Sequence, residues 1–207
     1  MDLQIRLRRE NGRSLGVLVW RFDPAVRAVS SAPHGGGLGP RRWIVNAQVP
    51  AGYARRDPGA HLAKLGVSLG LPGRGVGLLT AADVSARTTG RDGGVEATAT
   101  VGLGHPVLAA APDEAHRPSL VGTVNLVVAL PERMADAALV NLVATATEAK
   151  VQALRDAGLH ATGTATDAVC VVCPDEGRAH DFGGPRSLWG ARAARAVYTA
   201  VADGFRP

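Results

Sequence analysis

The chain has 207 residues, 46% of them apolar and 4% aromatic, with 26 glycines and a formal charge of +5. That length can bury a full core in one domain, no apolar run reaches the roughly 18 residues of a membrane span, and the basic N-terminus lacks the apolar stretch of a secretion signal, so the chain reads as cytoplasmic. The positive charge would suit nucleic acid, but the arginines are scattered, Lys64 and Lys150 are the only lysines, and no ribonucleoprotein or helix-turn-helix pattern is present, which sets that class aside.

In chain order, Leu3 to Arg8 and Leu15 to Phe22 read as a hairpin around Glu10-Asn11-Gly12, because Asn-Gly favours the tight turn that joins two strands. Ala25 to Ser31 adds another strand. A glycine-rich loop, Ser30 to Gly39, follows; it fits neither the Walker nor the GxGxxG spacing, and it could expose backbone N–H groups to an oxyanion or serve as a plain surface turn. Arg42 to Val49 is a short strand carrying Asn46. Asp57-Pro58 opens a helix that runs to about Leu69. Gly75 to Thr80 is an apolar strand leading to Asp83, Arg87 to Gly94 a loop, and Val95 to Gly102 an alternating strand with Thr98 and Thr100 on one face. After a loop at Pro112 to Pro118, Thr123 to Leu130 is apolar enough for a central strand covered on both faces.

The spacing predicts a long helix over Asp136 to Ala157, with Asp136 as N-cap and Gly158 at the left-handed position past its end. Leu139, Leu142, Val143, Ala146, Ala149, Ala153 and Leu154 share one face, and Asn141, Thr145, Glu148 and Gln152 the opposite one. Lys150 falls among the apolar residues, where a lysine needs a partner. A small-residue loop then leads to Asp167 and a buried strand ending at Pro174. Cys170 and Cys173 have CxxC spacing, but three residues apart on a strand point to opposite faces, which fits buried thiols rather than a redox or zinc pair. Pro174 to Pro185 reads as a mobile loop and Leu188 to Asp203 as a final helix. The fold class expected is α+β, with one or two largely antiparallel or mixed sheets covered by two long helices.

The polar residues able to carry chemistry are Asn46, Asp83, Glu148, Lys150 and Asp167, with Thr80, Thr164 and Thr166 beside them. Carboxylates at element ends can act as general bases, a neighbouring lysine can polarise a carbonyl, and glycine N–H groups can hold an oxyanion, a set suited to hydrolysis of an amide or ester. Each also has a structural reading as a cap, a solvated face or an internal ion pair. The six histidines show no HExxH pairing, no metal ligands are expected, and no GxSxG elbow is present.

Six blocks taken together resemble the adenosylcobinamide amidohydrolases of cobalamin salvage. They are SSAPHGGGLG at 30–39, WIVNAQVP at 43–50, VGLLTAADV at 76–84, GTVNLVV at 122–128, ALVNLVATATEAKVQAL at 138–154 and TGTATDAVCVVCP at 162–174, in consistent order within a core of about 25–203. The resemblance implies a single amidohydrolase domain that cuts the amide joining the aminopropanol arm to the corrinoid, giving adenosylcobyric acid. It implies a catalytic set of Asp167, Glu148, Lys150 and Asp83, and a substrate-binding set of Gly35, Gly36, Gly37, Asn46, Thr80, Thr164 and Thr166. The corrinoid is then the substrate, no cofactor is expected, a homo-oligomer is left open, and neither nucleic acid nor membrane is a partner. The rival readings are a corrinoid-binding protein without catalysis and a basic nucleic-acid-binding domain.

Overall fold

The computed structural model of the chain describes residues 2–112 and 122–205. β1 (Leu3–Glu10) and β2 (Arg13–Ser30) form the expected hairpin. Asn11 and Gly12 both have positive φ, 49° and 75°, the backbone that a two-residue hairpin turn demands. The segment Ala25 to Ser31, read as a separate strand, is the far half of β2 beyond a register shift between Arg21 and Val26. β2 is therefore long enough for two partners on one edge: β1 along its first half and β8 (Ala168–Pro174) along its second.

The strands form one eight-stranded mixed sheet in the order β4-β3-β2-β8-β7-β6-β5, with β1 beside β2. β3 (Gly37–Gln48) runs parallel to β4 (Gly75–Thr80), and β7 (Thr123–Ala129) parallel to β8. β5 (Thr88–Asp92) and β6 (Val95–Gly102) complete the other end, antiparallel to each other, and β6 is antiparallel to β7. The fold is α+β, and the described residues form a single mixed sheet and three α-helices.

Side-chain alternation shows how the sheet is covered. Val17, Val19, Trp43, Val45 and Ala47 pack with Leu62 and Leu65 of α1 (Pro58–Ser68). Val124, Leu126, Val128, Val169 and Val171 pack with α2 (Asp136–Asp156) and α3 (Leu188–Asp203). The alternate residues, Leu18, Ile44, Val76 and Leu78 from one half and Val127, Ala168 and Cys170 from the other, pack on each other. The sheet is thus folded over, its inner faces in contact and its outer faces under helices, as a period of two requires when both faces are apolar. Cys170 lies in the inner cluster and Cys173 in the helix-facing one, on opposite faces of β8.

α2 follows the sequence pattern closely. Fully burying Leu139, Leu142 and Leu154 contributes about 1.5–3 kcal/mol each, so packing rather than propensity fixes the helix. Its N-cap is Ala135 rather than Asp136; Asp136 opens the first turn and pairs with Arg27 of β2 at 2.5 Å. Thr145, expected on the polar face, is buried and donates to Gly183 O at 2.9 Å. The same contact corrects the mobile reading of Pro174 to Pro185: His180 exchanges backbone bonds with Arg133 and Ala135, and Gly183 packs against Ala138 and Leu142. The loop expected at Arg87 to Gly94 contains β5. Its buried residue is Gly90, whose lack of a side chain lets the strand touch the α3 backbone at Ala196 and leaves no apolar alternation to read. The expected loop at Pro112 to Pro118 lies, past Pro112, outside the described residues.

Candidate active site

The inner faces carry few polar residues, and three of them are linked across the fold. Asn46 of β3 donates through Nδ2 to Thr100 Oγ1 of β6 at 2.9 Å. Asn125 of β7 donates through Nδ2 to Asn46 Oδ1 at 3.0 Å and to Leu79 O of β4 at 2.7 Å. Two acceptors on one amide group fix its orientation, so the nitrogen faces the first half of the sheet. Asn125 Oδ1 is left buried without a hydrogen-bond partner. A neutral hydrogen bond contributes a net 0.5–1.5 kcal/mol or so, but stranding a buried partner costs about 1–3, so the three residues pin the two halves in one alignment.

Beside this network, at the N-terminal ends of β7 and β8, sits Asp167. Its Oδ2 accepts from Lys150 Nζ at 2.5 Å and Thr164 N at 3.1 Å; its Oδ1 accepts from Val124 N at 2.8 Å and lies 2.6 Å from Thr164 Oγ1. The pairing satisfies the lysine that the helix projection placed among apolar residues, and Lys150 is 6% exposed. Gly163 makes room for it: a Cβ there would overlap Asp167 Oδ2 and come within 2.6 Å of Lys150 Nζ. With both oxygens occupied by donors, Asp167 is a fixed negative charge at the edge of the site. One residue away, Thr123 Oγ1 and Thr166 Oγ1 are 2.6 Å apart, and Thr166 also reaches Gly122 O at 3.2 Å. When Thr166 donates to Thr123, the Thr123 O–H is left to turn to a ligand; when Thr166 donates to Gly122 O, Thr123 donates to Thr166 instead.

These groups open on a cavity of about 460 Å³ at the seam of the folded sheet. Thr80, Thr123, Asn125, Thr166 and Asp167 line it together with Ser31, Tyr53 and Arg55. Burial holds the Tyr53 phenol above its ordinary pKa, so it is neutral at pH 7. Behind Asp167 a second hollow of about 430 Å³ is lined by Thr147, Lys150 and the 162–165 turn. Asp167 is the wall between the two. Among the described residues no three His, Cys, Asp or Glu side chains gather as a metal site.

A sequence model of the adenosylcobinamide amidohydrolases matches residues 2–207. The chain belongs to this family. An adenosylcobinamide amidohydrolase from Halobacterium salinarum is 41% identical over 117 residues, which is 54% of this chain and only 50% of that protein. One from Methanosarcina mazei is 28% identical over 179 residues, covering 82% of this chain and 86% of its own. The crystal structure of the PH0078 protein from Pyrococcus horikoshii OT3 covers 92% of this chain and 77% of that one, at 11% identity and a TM-score of 0.52; the likeness is one of fold.

Of the residues that the sequence and the family resemblance put forward, the structure gathers Asp167, Lys150, Thr164, Thr166 and Thr80 around the two hollows, with Asn46 directly behind Asn125. It places the others elsewhere. Glu148 is on the exposed face of α2. Asp83 caps a short 3₁₀ turn at Val84–Ala86, accepting from Ser85 N at 2.9 Å and Ser85 Oγ at 2.8 Å. Gly35 and Gly36 turn their carbonyls to Arg41, and Gly35 packs so closely on Gly75 that a Cβ would overlap Gly75 O; Gly35, Gly36 and Gly37 are not among the cavity-lining residues. Thr123 and Asn125 were missed, although polar residues at alternate positions of an otherwise apolar strand are the signal of one polar inner face. Tyr53 and Ser31 carried no such signal, being brought to the cavity by the fold alone.

Proposed function

We propose that this family member hydrolyses the amide that joins the aminopropanol arm to the corrinoid of adenosylcobinamide, releasing adenosylcobyric acid and the amino alcohol. The observation that carries this reading is the cavity itself: about 460 Å³, too small for a whole corrinoid but ample for one amide arm, with a lysine-paired carboxylate and a pair of hydroxyls among its lining groups. The ring then stays at the mouth while the arm enters. In this arrangement the Thr123–Thr166 pair offers an O–H to the amide oxygen, and Asp167, clamped by Lys150, offers its carboxylate to the amide nitrogen as that nitrogen is protonated. Water adds to the carbonyl carbon, the C–N bond breaks, and the departing nitrogen takes a proton.

The test is to incubate purified protein with adenosylcobinamide, with and without chelator, and follow the corrinoids by mass. Adenosylcobyric acid is the expected product. A shifted corrinoid spectrum without product would replace the enzyme by a binding protein. Asp167→Asn should lower kcat at least tenfold, whereas Glu148→Gln, on an exposed helix face, should leave it unchanged; the reverse result would move the chemistry to the other carboxylate.

A further inference from the structure

Tyr53, which lines the same cavity as Asp167, belongs to a second group of titratable side chains, drawn from three elements far apart in sequence. Tyr53 follows β3 in a turn closed by its own N–H on Pro50 O at 2.9 Å, and it lines the cavity. Its hydroxyl is 2.9 Å from Nδ1 of His61, a buried residue of α1. Nε2 of the same imidazole is 3.3 Å from Oε1 of Glu10, the last residue of β1. Glu10 Oε2 is in turn 2.9 Å from Arg8 Nη2, which also donates to Gln48 O at 2.9 Å. Tyr53 and His61 stack, with ring centroids 5.6 Å apart.

We propose, resting on the amide hydrolysis of the preceding section, that Tyr53, His61 and Glu10 form a proton relay in which the Tyr53 hydroxyl exchanges a proton with the reacting water and the leaving amine. The order carboxylate, imidazole, hydroxyl is the one that lets a carboxylate choose the tautomer of a histidine and so leave its other nitrogen as acceptor for the hydroxyl. The Glu10 carboxylate, 3.3 Å from Nε2, favours the proton on that nitrogen, Nδ1 keeps a lone pair, and Tyr53 donates to it. Among the described residues nothing else hydrogen-bonds the phenol oxygen, so a lone pair on it is available to a ligand. Arg8 holds Glu10 in place from its far oxygen.

The proton balance closes. A water in the cavity gives a proton to the Tyr53 oxygen as the Tyr53 proton moves to Nδ1, and the hydroxide oxygen bonds to the amide carbon. The imidazolium formed lies against the Glu10 carboxylate, and Tyr53, now accepting from Nδ1–H, turns its own O–H to the cavity. That proton passes to the nitrogen as the C–N bond breaks, and Nδ1–H replenishes it. One water is consumed, an acid and an amine leave, and the relay returns to its starting state. The arrangement gives one group both proton transfers, which hydrolysis of an amide needs because an unprotonated amine is a poor leaving group. The charged groups that bear on Tyr53 are Arg8, Glu10, Arg55 and Asp57, and burial, which raises its pKa, keeps the phenol neutral between turnovers.

Two measurements on the full chain test this. Nitrogen-15 NMR of His61 at pH 8 should show the Nε2–H tautomer with a hydrogen-bonded Nδ1, and Tyr53→Phe should shift the Nδ1 resonance toward that of a free acceptor. In turnover of adenosylcobinamide, Tyr53→Phe should lower kcat about a hundredfold with KM within twofold, and Glu10→Gln about tenfold, the range of a single acid–base group. An Nδ1–H tautomer in the unmodified protein, or full kcat in Tyr53→Phe while the unmodified protein turns over, overturns the relay. If the unmodified protein gives no adenosylcobyric acid, the substrate assignment is what fails, and the NMR still decides whether the proton arrangement exists.

Discussion

Replacing Lys150 with Met removes one charge from a pair whose side chains are 7% and 12% exposed. Breaking a buried pair from one side costs about 3–5 kcal/mol because the remaining charge is stranded. Asp167 keeps two backbone donors, Val124 N and Thr164 N, so the low end applies and about 3 kcal/mol is expected. Asp167→Asn should cost more, about 4 kcal/mol, since the Asp167 carboxylate is the one hydrogen-bond partner of Lys150 Nζ among the described residues. The double variant Lys150→Met/Asp167→Asn has neither charge, and its loss should fall short of the sum by about 3 kcal/mol, the signature of residues in direct contact. Urea unfolding reads these values from the midpoint at unchanged slope; for a chain of this size 3 kcal/mol corresponds to roughly 6–12 °C in Tm. If Lys150→Met lost less than about 1 kcal/mol, or the two changes were additive, the pair would be a surface-like contact and Asp167 would not be the fixed charge described above.

Gly163→Ala pushes a methyl into the same pair, so it should cost about 2 kcal/mol alone and markedly less in a Lys150→Met background, checked by the same unfolding assay. Burial pushes the Cys170 thiol up to about 12, against opposing help from Ser30 and Arg41, and raises Cys173 as well. A thiol-reactive aromatic disulfide at pH 8 should therefore label neither cysteine in the folded chain and both in urea; rapid labelling without denaturant would contradict the buried placement. Asp83 is held below the ordinary carboxylate range by Ser85 N–H first and the Ser85 hydroxyl second, against a small effect of burial. A carboxylate depressed in the folded state adds stability that is complete above its unfolded pKa, near 3.9, and disappears as pH falls through the lower folded value. Asp83→Ala should then be less stable than the parent at pH 6 and converge on it as pH falls below the depressed folded-state value, in unfolding curves taken from neutral to acid pH.

Much of the fold was legible because the decisive signals are local. Asn-Gly gave the first turn, Asp-Pro the start of α1, and the apolar stripe from Leu139 to Leu154 gave α2, including the anomaly at Lys150. What stayed hidden depended on contacts between distant segments. β5 was invisible because its packing residue is a glycine, and Thr145 looked solvent-facing because nothing in its own helix announces Gly183. The strand order rests on β2 offering one edge to two partners. The site divided in the same way: Asp167 and Lys150 are 17 residues apart on consecutive elements and could be paired on paper. Glu10, Tyr53 and His61 come from a strand end, a turn and a helix, and only the fold places them together.

The shared edge of β2 also dictates when the site can exist during synthesis. Ser30 and Ser31 bond Val169, residues 139 and 138 positions apart, and the cavity lies beside that junction. β1, β2, β3, α1 and β4 need only each other and can pair as soon as they emerge, whereas the second half of β2 must wait for β8, nearly the whole chain later. Pairings that distant close slowly. A nascent chain halted after β7 would carry an open ladder on β2 and lack the Ser31 to Ala168 side of the cavity, so the cavity should form in one step with the last strand rather than build up with length.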